Sequence, residues 1–143
     1  AASQWEGDWH TRDGAVRVKV IDGDKGILKA FWIDDDRQGN PLMRTARIEL
    51  RESGGWLFAN TEEDKGRGYI WARIRNEDGQ ILVWTPDDRR FSQLIKEGVF
   101  PGKVEGNDVF LEELKPGHLK IITSGERILF QWDQPTVFVK AGN

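Results

Sequence analysis

The 143-residue chain has no cysteine, which excludes disulfides, thiolate zinc sites and cysteine nucleophiles and leaves the redox compartment open. Histidine is scarce, with His10 and His118 alone as near-neutral bases. There is no Gly-x-Ser-x-Gly elbow and no phosphate-cradling glycine loop. Long apolar runs are missing as well: stretches such as Val109-Phe110-Leu111 fall far short of the roughly 20 residues a membrane-spanning helix needs. Neither sign of charge dominates. The 21 Lys and Arg are interleaved with 24 Asp and Glu for a net charge of -3, so there is no basic footprint for nucleic acid or an anionic membrane.

What remains is a chain with 38% hydrophobic and 31% charged residues, a globular balance rather than a disordered one. Its length fits one soluble domain over residues 1–143, large enough to bury a core without metal or disulfides.

From Asp8 to Trp84, short strands alternate with turn signals about every ten residues, the spacing of an all-β sandwich or barrel. After Asp13-Gly14, Val16, Val18 and Val20 alternate with Arg17 and Lys19, the mark of a half-buried strand leaving a tight hairpin. Asp22-Gly23-Asp24-Lys25-Gly26 turns into Ile27 to Ile33, with Leu28, Ala30 and Trp32 on one face and Ile27, Phe31 and Ile33 on the other. In the strand from Leu42 to Arg51, Ala46, Ile48 and Leu50 share the apolar side, which also carries Arg44. Gly54-Gly55, a polar loop over Glu62 to Gly68 and Asn76-Glu77-Asp78-Gly79 separate further strands at Trp56 to Asn60, Tyr69 to Arg75 and Gln80 to Trp84.

About seven sequential strands make an antiparallel meander, and its edges are best removed by closing into a barrel or strongly curved sheet. The pattern then changes. Thr85 as cap, Pro86 at the first helical position and Phe91, Leu94 and Ile95 on one face predict an amphipathic helix over about 86–97, ended by Gly98. Lys103-Val104 and Val109 to Leu111 flank Gly106-Asn107-Asp108 as a small hairpin. A second short helix is predicted over about 116–123 with Gly125 ending its turn, followed by strands Arg127 to Trp132 and Thr136 to Lys140.

Few constellations carry chemistry. Glu6, Asp8 and His10 alternate along one strand and could offer ligands to a divalent cation, but such neighbours lie far apart for a tight site, so we read a solvated edge. The stretch from Asp34 opens like a calcium loop, yet its twelfth position is Thr45 rather than glutamate, so it and the Asp22 turn read as hairpin turns. His118, at a helix start, reads as a structural polar residue before a catalytic base. No catalytic residue, metal or cofactor is assigned.

The chain is rich in tryptophan, with seven at positions 5, 9, 32, 56, 71, 84 and 132. Filling a small barrel core is their ordinary use. A sharper use is an interior pocket lined by Trp32, Phe58, Trp71 and Trp84, with Arg44 receiving a carboxylate-headed ligand if it faces inward.

Gly7-Asp8-Trp9, opening the first strand after Gln4-Trp5-Glu6, resembles the Gly-x-Trp motif that begins the barrel of lipocalins and their calycin-type relatives. With the meander behind it, the chain is similar to small uncharacterised bacterial lipoproteins and exported proteins of that shape. The resemblance implies a calyx for a small hydrophobic molecule, a base closed by Trp9, and a periplasmic or cell-envelope location rather than the cytoplasm. Two departures stand against it: a helix enters after about seven strands rather than eight, and no lipid-bearing cysteine is present. The expectation is a non-enzymatic protein that binds a small hydrophobic ligand. The alternatives are a carbohydrate-binding or protein-interaction module using exposed aromatics, and a carboxylate-based enzyme. Whether the chain is a monomer or homodimer is open.

Overall fold

The computed structural model describes residues 3–62, 69–124, 129–130 and 134–141. Strands β1 (Gly7–Thr11), β2 (Arg17–Asp22), β3 (Ile27–Asp35), β4 (Pro41–Ser53), β5 (Trp56–Glu62), β6 (Tyr69–Glu77) and β7 (Gln80–Trp84) run as an antiparallel meander. Helix α1 (Asp88–Lys96), the hairpin β8 (Gly102–Glu105) and β9 (Asp108–Leu111), and helix α2 (Pro116–Thr123) follow. The chain then returns as β10 (Thr136–Lys140), which inserts between β7 and β1 and closes the barrel in the order β1-β10-β7-β6-β5-β4-β3-β2. The barrel therefore has eight strands, the eighth being the last of the chain rather than a continuation of the meander.

The register sets which side chains look inward. Directly opposed residues share a face, and the pairs Trp9 with Val18, Leu28 with Ile48, Leu50 with Ala59, Ile74 with Val83 and Ile81 with Phe138 carry one face around the circle. These residues belong to one apolar cluster, the barrel interior, together with Trp5, Val20 and Leu57. Its lower end is sealed by the N-terminal segment. Trp9 is 3% exposed and its indole N–H donates to the Trp5 carbonyl at 2.9 Å, while Asn76 Nδ2 donates to the Gln4 carbonyl at 2.6 Å. Lys140, opposite Trp9, crosses Gly7 and brings Nζ 5.8 Å from the Trp9 ring centre. A Cβ on Gly7 would lie 2.7 Å from Lys140 Cε, and its φ of +142° suits glycine, so the first position of the Gly-x-Trp triplet is set by a close approach.

The other face of β5, β6 and β7 is apolar too, and it supports a second core outside the barrel. Phe58 and Trp84 point outward, and Phe91 and Leu94 of α1, Phe100, Ile122 of α2, Leu129 and Phe130 cover them. The segment between β7 and β10 is thus a layer folded over one wall. Gly54 at the β4–β5 turn meets this layer: a Cβ there would fall 2.6 Å from Thr123 Oγ1, at a φ of +59°.

Helix α1 begins later than its sequence suggests. Asp87 is the cap, its carboxylate accepting from the Arg90 N–H at 3.2 Å, and Pro86 instead bridges to Phe130. Thr85 is not in the cap because the chain must first pair Pro86 and donate the Asp87 N–H to the Leu129 carbonyl. Helix α2 has the expected bounds and ends on Ser124. Of the expected strand over 127–132, Leu129 and Phe130 are described and both are buried in the outer core; the remainder, Gly125 and the loop over 63–68 lie outside the described residues.

Candidate functional site

The structure divides the five residues singled out for ligand binding between two faces of the barrel wall. Trp32 and Arg44 are opposed across β3 and β4 and lie on the inward face, in the half of the barrel away from the sealed base. Phe58, Trp71 and Trp84 lie on the outward face, so no single interior pocket contains all five. The reason is parity: Phe58 opposes Arg51 and Arg73, whereas its neighbour Ala59 opposes the inward Leu50 and Ala72. A strand that is apolar on both sides gives no sign of which side is the interior. The signal was nonetheless present, since near-continuous apolar runs such as Ile81-Leu82-Val83-Trp84 mark strands covered on both faces.

The upper half of the interior differs from the base. Ala30, Ala46 and Ala72 face inward there with Trp32; Ala30 is buried and the other three are half-buried. Arg44 places Nε 3.7 Å from Asp34 Oδ2, on the same face, with both side chains about half exposed. Its charge is therefore shared with a carboxylate at the rim. The barrel is packed at its base, and its other half carries small side chains, an indole and an ion pair.

Comparison with known proteins finds no family model, no curated protein and no solved structure that matches this chain.

The remaining candidates resolve into structural roles. His118 Nδ1 accepts from the Lys115 N–H at 2.9 Å, so its ring closes the N-terminus of α2. His10 Nδ1 lies 2.7 Å from the Thr11 carbonyl on the outward face of β1, and Glu6 accepts from the Asp22 N–H. Asp36 Oδ1 accepts from the Gln38 and Asn40 N–H groups, each at 2.8 Å, which makes the 36–40 stretch a hairpin turn. Those bonds hold its carboxyl below the usual range, Asn40 contributing most. The Asp13 carboxyl is lowered chiefly by the Thr11 hydroxyl and then by the Ala15 N–H, and that of Asp22 by Ser3 and then the Asp24 N–H. Among the described residues, no three His, Asp or Glu side chains gather as a metal-ion site, and no helix is long and apolar enough to cross a membrane.

Among the described residues, the tryptophans form no exposed platform. Trp5, Trp9 and Trp84 are buried and Trp32, Trp56 and Trp71 half-buried; Trp132 lies outside the described residues. On the outer wall, the Arg73 guanidinium carbon sits 4.0 Å from the Trp56 ring centre and 5.5 Å from that of Trp84. Burial, and then Arg75, push the Arg73 pKa below its usual value, and the two indoles offset part of that desolvation.

Proposed function

We propose that the chain is a non-enzymatic binding protein that takes a small apolar molecule in the half of its barrel away from the Trp9 seal. The observation that carries this reading is the contrast along the barrel axis. Trp5 and Trp9 fill the base, while the inward positions around the half-buried Trp32 are the small Ala30, Ala46 and Ala72. Small side chains around one large ring leave room for a ligand, and apolar walls with a few polar groups at the mouth are the usual lining of such sites. The eight-stranded closed barrel and the Trp9 seal support kinship in form with lipocalin-type proteins. Arg44 and Asp34 at the rim favour a ligand with a neutral polar end, because the arginine charge is already shared.

Native mass spectrometry of gently purified protein tests the reading, with the neutral dye N-phenyl-1-naphthylamine as a defined apolar probe. We expect a non-covalent extra mass, or saturable dye binding, that Ala72→Leu weakens by filling the interior. A clean ligand-free mass with no dye binding overturns it.

A further inference from the structure

The outward face of the wall holds a cleft that the barrel reading does not use. Its volume is about 720 Å³, and it lies between β4 to β6 and the layer formed by α1, the β8–β9 hairpin and α2. The floor is aromatic: Phe58, Trp71 and Phe91 line it, and Val109 and Leu111 of β9 form the facing wall. The Trp71 ring is held by three others, 5.6 Å from Phe58, 5.6 Å from Phe91 and 5.5 Å from Phe130 between centroids. Such a floor is set before anything binds, which lowers the ordering cost of binding.

The rim has a definite sign. Glu52, Asp88, Asp108 and Glu112 line the cleft, and none of the four is in an ion pair among the described residues. Among the described residues, Arg51 is the cation of the lining, and its Nη2 is 2.7 Å from Glu49 Oε1. Two cations of the covering layer are also engaged: Lys103 pairs with Glu105 at 3.3 Å and Arg90 with Asp87 at 3.8 Å. Apolar rings below and unpaired carboxylates above attract a ligand with a hydrophobic body and a positive head. The half-buried Trp71 ring adds to that preference, because a cation over an indole is stabilised by the ring quadrupole. An anionic amphiphile of the same size meets repulsion at the rim.

The geometry points to this cleft as a binding site for a cationic amphiphile, a small molecule with an aromatic or alkyl body and an ammonium group, separate from the barrel interior.

The test is calorimetric titration of the full chain with three probes of one shape: 4-phenylbutyl-trimethylammonium, 5-phenylpentan-1-ol and 5-phenylpentanoate. The ammonium compound binds saturably, the alcohol more weakly and the carboxylate not measurably. Raising the salt concentration weakens the ammonium compound alone, since exposed charges are screened. Asp108→Asn with Glu112→Gln, both at exposed positions, lowers its affinity by about three- to tenfold without moving Tm. Trp32→Ala, inside the barrel, leaves it unchanged. Equal binding of the carboxylate, an unchanged affinity in the rim variant, loss of binding in Trp32→Ala, or no saturable binding of the ammonium compound overturns the proposal.

Discussion

At the scale of single residues, the molecule depends on large rings in two separate places. Phe91 is 1% exposed and stacks near Phe100 at 5.4 Å between centroids, so Phe91→Ala leaves a cavity in the outer core. We expect a loss of about 3–5 kcal/mol in urea unfolding. Gly7 is constrained twice, by its φ of +142° and by the Lys140 side chain passing over it. Gly7→Ala should cost about 1–3 kcal/mol. Adding Lys140→Ala removes the collision but not the backbone strain, so the double variant recovers part of the loss; full recovery would show that the glycine is needed for space alone.

At the scale of elements, the caps and turns decide boundaries that hydrophobic periodicity leaves loose. Asp87 satisfies the Arg90 N–H at the start of α1, and Asp87→Ala should cost about 1 kcal/mol. Thr85, exposed and outside the cap, should change stability by less than about 0.5 kcal/mol when replaced by alanine. Chemical denaturation of the two variants side by side checks the assignment, and a larger cost at Thr85 would move the cap back to where the sequence alone places it. The apolar face of this helix was legible, because Phe91 and Leu94 are three apart and both are buried. Its first residue was not, because the Pro86–Phe130 bridge joins positions far apart in the chain.

At the scale of the whole molecule, β5, β6 and β7 form a wall shared by two cores, with Ile74 and Ile81 buried on one side and Phe58 and Trp84 on the other. Neither core can be lost without exposing an apolar face of the same strands. Ile81→Ala and Phe91→Ala should therefore shift one cooperative transition, coincident by tryptophan fluorescence and far-ultraviolet circular dichroism. Two separated transitions would show that the outer layer unfolds independently. Acid acts on the whole fold through its turns. The carboxyls of Asp13, Asp22 and Asp36 titrate lower in the folded chain than in the unfolded one. The stability they contribute is complete above about pH 4 and is lost as pH falls through their folded values. Thermal melts should thus show no change from these groups between about pH 5 and 7 and a declining Tm below about pH 4, a decline made shallower by Asp36→Asn.

The mainly antiparallel β class, the approximate positions of β1 to β10 and the bounds of α2 follow from the sequence, because alternation, turn residues and capping are local properties; of the strand expected over 127–132, the described residues form an isolated bridge at Phe130. The seal at the base, which the resemblance implied for Trp9, is made in the structure by the Trp9 indole N–H donating to the Trp5 carbonyl. Closure by β10, the division of Trp32 and Arg44 from Phe58, Trp71 and Trp84, and the cleft with its acidic rim were decided only by the tertiary structure. Each depends on which residue stands opposite which across strands distant in sequence, and in a wall apolar on both faces, composition does not distinguish inside from outside.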